Sequence, residues 1–189
     1  MYYNGAEGDL SPILNESGDG YLKIEIYGKK IAEKAFYVYN QIKPKAVKEL
    51  KYNYQSVSLP AHVAHPSFMK TGGEEYGLDE KTVKIVMDML GPSHAGTGSV
   101  KIGDLIIAGV PGEMTSELGL KVKNSLKSSG AKYVTIGGLA NEWISYILTR
   151  EQYIHGEGYE SSVSFYGPGL GELISNEVIK TSLPLIPLV

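Results

Sequence analysis

The chain's chemical resources are carboxylates, phenols, hydroxyls and a few imidazoles. It has no Cys and four His. That excludes disulfides, thiolate zinc sites and Cys nucleophiles, and leaves imidazole, carboxylate or a rarer oxygen donor to hold any metal. Glu113 follows the apolar run Leu105-Ile106-Ile107-Ala108-Gly109-Val110 across Pro111-Gly112, and the segment Asn141 to Tyr146 follows a second such run, Tyr133 to Leu139. If the two runs are neighbouring strands, both segments stand beyond the carboxyl ends of one sheet, where open α/β sheets hold their ligands. The same Glu113 also suits a helix-start acid, because a carboxylate is favoured at a helix N-terminus. Ser11 reads as a turn Ser before Pro12, and Tyr146 and Tyr159 as core-edge tyrosines in a chain with 14 of them. His62-Val63-Ala64-His65 sets two imidazoles three residues apart; the segment has loop character and is expected to hold a solvated pair.

The elements that position these residues follow from periodicity. Ile31, Ala35, Phe36, Val38, Tyr39 and Ile42 recur at helical spacing opposite Lys29, Lys30, Glu33 and Lys34, which predicts a helix over 27–42 stopped by Pro44. Tyr52 to Leu59 alternates as a half-buried strand. Thr82 to Leu90 suits either a short helix or a strand, and the stretch between is irregular. Core strands are expected at 101–110, as a hairpin through Gly103-Asp104, and at 132–139. A helix over 114–128 connects them, with Gly130 as its stop. A last helix runs from about Gly171 to Lys180, and the tail Leu183 to Val189 is expected on the surface or on a partner. The first twenty residues are turn chemistry and read as loop. Together these make an α/β protein with a mixed sheet core flanked by helices, in a single domain spanning 1–189.

At 189 residues, 42 % hydrophobic and 21 % charged, the composition is that of an ordinary soluble globular protein. A net charge of −3 without any long basic block gives no electrostatic footprint for nucleic acid. No apolar run approaches the roughly 20 residues of a membrane-spanning helix, and Met1-Tyr2-Tyr3-Asn4-Gly5 lacks the features of a signal peptide. The expectation is a protein without a transmembrane segment, cytoplasmic by default.

Several short motifs recur in one order: Gly8-Asp9-Leu10-Ser11-Pro12, Pro111-Gly112-Glu113-Met114-Thr115, Gly138-Leu139-Ala140-Asn141 followed by Tyr146, then Tyr153, Tyr159-Glu160 and Tyr166-Gly167-Pro168. In order and spacing they resemble the neutral ceramidases, which carry Gly-Asp-Val-Ser-Pro-Asn, Pro-Gly-Glu-Phe-Thr-Thr, Gly-Leu-Ala-Asn with a following Tyr, Glu-Glu-Tyr, Arg-Tyr-Glu and Tyr-Gly-Pro. The resemblance is densest between Gly98 and Gly171. Ile13, Trp143 and Gly158 depart from the family pattern, and one extra residue separates Tyr153 from Tyr159.

The resemblance implies a zinc-dependent amidohydrolase that cleaves an N-acyl amide bond of a lipid-like substrate. It assigns Ser11 as nucleophile, Glu113 and Tyr146 as zinc ligands and Tyr159 as an oxyanion donor. In the family two further histidine ligands precede the Ser motif, where this chain has ten residues. The expectation is therefore a partial catalytic domain, incomplete on its N-terminal side, that binds one zinc ion with histidines from a second polypeptide. The alternative is a non-catalytic, metal-free subunit of the same fold.

Overall fold

The computed structural model describes residues 2–13 and 19–187. The chain divides into two compact units, Ser11–Lys48 and Met1–Leu10 with Glu49–Val189.

The smaller unit is built on α1, Gly20–Tyr39. It begins seven residues before the helix expected at 27–42 and stops three short of it. Asp19 explains the start, since its carboxylate accepts from the Leu22 N–H at 2.9 Å and satisfies one of the free donors of the first turn. Tyr21 and Ile24 already belong to the helical period, and neither Gly20 nor Gly28 interrupts it. No side chain of α1 is buried.

The larger unit runs β1 (Leu50–Ser58), α2 (Pro66–Phe68) continuing into a π-helical turn at Met69–Gly73, α3 (Glu80–Leu90), β2 (His94–Ile102), β3 (Leu105–Gly109), β4 (Glu113–Met114), α4 (Ser116–Ser128), β5 (Tyr133–Gly137), β6 (Tyr146–Ile147), α5 (Arg150–His155), α6 (Tyr159–Ser162), α7 (Leu170–Ser182) and a 3-10 turn at Leu183–Leu185. Four strands form one mixed sheet in the order β1-β2-β3-β5, the first two pairings antiparallel and β3·β5 parallel. The parallel pair is joined by α4, so the β-α-β arrangement expected from the two apolar runs is present. The segment Thr82–Leu90 resolves as helix α3, with Asp79 accepting from the Thr82 N–H.

β2 starts six residues before the pattern sharpens at Val100. His94-Ala95-Gly96-Thr97-Gly98-Ser99 has weak strand propensity, yet it is paired on both sides, by β1 and by β3, and tertiary pairing overrides local preference. The alternation is nevertheless visible: Ala95, Thr97 and Ser99 are buried on the helix side, and Gly96 and Gly98 floor the other face.

The core lies between the sheet and the helices α4 and α7. Ile106, Ala108 and Ile136 meet Leu118, Val122 and Leu126 of α4 and Ile174 and Val178 of α7, all at most 2 % exposed. Each such aliphatic side chain contributes about 1.5–3 kcal/mol by leaving water. α7 is also fastened by hydroxyl pairs, Thr97 to Thr181 at 2.8 Å and Ser99 to Ser182 at 2.7 Å. The apolar tail, expected on a surface or a partner, instead enters this core through Leu185 and Ile186. Among the described residues, no helix is long and apolar enough to cross a membrane.

Candidate functional site

Beyond the carboxyl ends of β3 and β5 the chain zips two loops together. Val110 N–H donates to Gly137 O, Ala140 to Val110, Ile144 to Pro111, Glu113 to Ser145 and Thr115 to Ile147, at 2.8–3.0 Å. Gly112 is required here: a Cβ would lie 2.5 Å from the Ser145 carbonyl oxygen, which has no freedom to withdraw. The second loop holds three non-Gly residues in the left-handed region, Leu139, Asn141 and Ser145, with φ of 54°, 71° and 69°. Strain of this kind persists only where surrounding bonds over-determine the backbone, and it concentrates at functional loops.

The consequence is β4 paired in parallel with β6, with Glu113 opposite Tyr146. The bland reading of Glu113 as a helix-start acid is replaced, because the helix begins three residues later and Glu113 sits on a strand. Trp143 Nε1–H donates to Glu113 Oε1 at 3.1 Å. The Tyr146 and Tyr159 rings meet edge to face with centroids 5.9 Å apart. Burial first, then the Glu113 carboxylate, pushes the Tyr146 phenol up to about 12, so it is a protonated donor at neutral pH. Tyr159, at the start of α6, is 68 % exposed. Glu113, Tyr146 and Tyr159, picked out along 47 residues of sequence, thus form one cluster.

The Gly8-Asp9 segment joins the same unit. Gly8 N–H donates to Met114 O at 2.9 Å, against the back of β4. Asp9 accepts from the Ser116 N–H at 2.7 Å and from the Ser116 hydroxyl at 3.0 Å, which caps α4 from outside its own segment. Ser11 is exposed and opens the smaller unit.

Three residues of the site were given no role of their own from sequence. Trp143 is one. Asn141, whose amide donates to Gly96 O at 3.3 Å, ties the strained loop to β2. Glu7 is the third: both its carboxylate oxygens are buried, neither is satisfied by another residue, and they fill the space that a Cβ at Gly138 would need. Burial, with the Glu113 charge adding to it, raises the Glu7 pKa. Its place beside Gly8-Asp9 was the only signal.

The imidazole pair expected to be solvated is not. His65 is 5 % exposed, with Nε2 at 2.8 Å from Tyr153 O and Nδ1 accepting from the Ser67 N–H. His62 packs tilted against Tyr166, ring centroids 4.7 Å apart, and bonds Asp88 at 3.0 Å. Both histidines thread the irregular stretch into the core, where Tyr153 and Tyr166 are buried partners rather than site residues. Loop composition concealed this because the tyrosine partners lie 88 and 104 positions downstream.

Among the described residues, no group of three His, Cys, Asp or Glu is arranged to hold a metal ion. Glu113 and Tyr146 offer two oxygen donors, fewer than the three protein ligands usual for catalytic zinc. These residues alone do not fit a zinc ion.

The fold and the cluster define an α/β protein with a carboxylate and two phenols gathered at the carboxyl edge of its sheet. The chain belongs to the neutral/alkaline non-lysosomal ceramidase family, whose N-terminal-region sequence model matches residues 75–173. It is 31 % identical over 116 residues to a neutral ceramidase of Drosophila melanogaster, covering 58 % of this chain and 15 % of that protein. It is 39 % identical over 87 residues to neutral ceramidase 1 of Arabidopsis thaliana, covering 41 % and 11 %. In structure it matches the neutral ceramidase of Pseudomonas aeruginosa with a TM-score of 0.75 at 20 % identity, covering 99 % of this chain and 38 % of that one. The fold is that of neutral ceramidase, and the chain spans a small part of the curated relatives' length.

Proposed function

We propose that the chain is part of an amidohydrolase that cleaves the N-acyl bond of a ceramide-like lipid. The observation that carries this is the pairing of Glu113 with Tyr146 across β4 and β6, with the Tyr159 ring edge to face against Tyr146. The family membership supports the substrate class. In this reading Ser11 is the nucleophile. Its hydroxyl oxygen attacks the acyl carbon, and the amide oxygen gains negative charge. The Tyr159 phenol donates a hydrogen bond to that oxygen, a contribution of about 10²–10³ in rate for one such donor. Collapse of that adduct breaks the C–N bond, the hydroxyl proton passes by way of solvent to the leaving amine, and water hydrolyses the acyl-Ser ester left behind. Trp143 and the β4·β6 pairing hold Glu113 in place.

The finer part of the proposal concerns the metal. Glu113 and Tyr146 are two oxygen ligands of a zinc ion, and histidines from outside this chain complete the set. Elemental analysis tests this on the purified chain, alone and with a polypeptide carrying the family's histidine motifs. Stoichiometric zinc that appears only in the mixture, and is lost in Glu113→Ala, is the expected result. Zinc in neither sample overturns the metal assignment and favours a non-catalytic subunit.

A further inference from the structure

We propose that the cavity between the Gly8-Asp9 segment, α5 and α6 binds a hydroxylated organic ammonium ion, that is, an amino alcohol. For the natural ligand this rests on the reaction proposed above, because cleavage of an N-acyl bond releases an amine. For the ligand's chemistry it rests on the cavity alone.

The cavity has a volume of about 490 Å³, and the residues lining it all belong to the larger unit. A water molecule takes about 30 Å³, so the space suits a small organic molecule. Its charge has one sign. Asp9, Glu151 and Glu160 line it, and among the described residues no Lys or Arg does. The one imidazole there, His155, lies 3.3 Å from Glu151 on the same helix. Asp9 is held by Ser116, whereas Glu160 has no hydrogen-bond or ion-pair partner among the described residues. Such a wall repels phosphate and other anions. Nor are the carboxylates gathered to chelate, since among the described residues no group of three His, Cys, Asp or Glu is arranged for a metal ion. The counter-charge that fits is an organic cation wide enough to meet more than one of them.

Thr115 defines the other end of the ligand. It is the N-cap of α4 and has the extended backbone from which a Thr hydroxyl ordinarily caps the first turn, yet it makes no such bond. Asp9 takes that place by accepting from the Ser116 N–H and hydroxyl. The Thr115 side chain is left wholly buried at the cavity wall, and its hydroxyl has no partner. Buried hydroxyls are otherwise almost always paired, and a ligand hydroxyl reaching Thr115 pairs this one. Leu148 offers the carbon frame an apolar wall. An alkyl amine meets the carboxylates and leaves Thr115 unpaired; a neutral polyol does the reverse. Gly158 and Glu160 flank Tyr159, the oxyanion donor of the proposed reaction, so an amine held here stays beside the place of its release.

Backbone-amide NMR spectra of this chain, titrated with serinol, glycerol and isopropylamine, test the assignment. The three share one carbon frame. Serinol carries an ammonium and two hydroxyls, glycerol lacks the ammonium, and isopropylamine lacks the hydroxyls. Serinol is expected to shift the Thr115, Gly156 and Gly158 signals saturably, with the other two binding about tenfold more weakly or less. Glu160→Gln should weaken serinol by about the same factor. Thr115→Val removes an unpaired hydroxyl, so its unfolding midpoint should be equal to the parent's or higher. It should bind serinol no better than isopropylamine and leave isopropylamine unaffected. Absence of those shifts, glycerol or isopropylamine binding as tightly as serinol, or a serinol affinity that neither substitution alters overturns the proposal. Binding is read without turnover or zinc. A chain that binds serinol as expected but supports no amide cleavage keeps the site and removes the reaction, so the two readings fail separately.

Discussion

Glu113 and Tyr146 are register partners in a parallel pair of only two residues per strand, thirty-three positions apart in sequence. So short a pairing is held by its flanks. The Glu113 N–H to Ser145 O bond and the Thr115 N–H to Ile147 O bond close it at either end. Both require the backbones at Gly112 and Ser145 to approach more closely than a side chain permits.

Gly112→Ala is therefore expected to separate β4 from β6. The added methyl would meet backbone rather than a flexible side chain, and overpacking of that kind costs about 1–3 kcal/mol. Thermal unfolding should show the loss. The emission of Trp143, the only Trp in the chain, should change with it, because its hydrogen bond to Glu113 is displaced. An unchanged spectrum would mean that the glycine does not set this geometry.

Tyr159→Phe removes one phenol hydroxyl from an exposed ring. The unfolding midpoint should stay within about 1 °C, since surface substitutions of this kind are nearly neutral. In the assembled enzyme of the proposed reaction, kcat against a short-chain N-acyl substrate should fall about 10²–10³-fold with KM little altered. A change confined to KM would make Tyr159 a substrate-binding group and not an oxyanion donor.

The sheet core was legible because it obeys local rules. Leu105–Val110 and Tyr133–Leu139 are continuous apolar runs of buried-strand type, and Thr115 to Gly130 carries its own start and stop. Glu113 and Tyr146 were legible as neighbours through the strand-helix-strand order, and Tyr159 only through the resemblance to the ceramidase motifs. What escaped was set by distant partners. His94–Ser99 becomes strand only because β1 and β3 flank it. His62 and His65 are buried only because Tyr166 and Tyr153 come to meet them. Trp143 is tied to the site by a loop with three residues at positive φ, for which Leu139 and Ser145 give no sequence cue. Asp19 is the opposite case, a local cap passed over because the glycines around it suggested a turn.

Glu7 carries a raised pKa from burial and from the Glu113 charge. A carboxyl whose folded pKa lies above its unfolded value stabilises the fold below the unfolded value, near 4.5, and loses that stabilisation as pH rises through the folded one. Glu7→Gln is expected to raise the unfolding midpoint at pH 7, by up to about 3 °C. The advantage should shrink as pH is lowered towards 4.5. A variant less stable than the parent at pH 7 would show that the ionised carboxylate has a partner in the folded protein, with a cation bound beside Gly138 as the first candidate to examine.

Glu49 lies at the other extreme. The side chain of Lys101 is 7 % exposed and its ammonium meets Glu49 Oε2, while Lys51 meets Oε1. Hydrogen bonds from Lys101 first, then from Lys51, hold the Glu49 carboxyl down at about 2. For a lowered carboxyl the stabilisation is present above the unfolded value of 4.5 and disappears as pH falls through about 2. Acid titration followed by circular dichroism should therefore show stability declining gradually between those limits. In Glu49→Gln this part of the curve should flatten. The variant should also be less stable at neutral pH, because Lys101 stays buried with its counter-ion removed. If Glu49→Gln follows the parent's acid limb, the limb belongs to other carboxylates, and Asp104, held low by Lys132 on the adjoining turn, is the next to substitute.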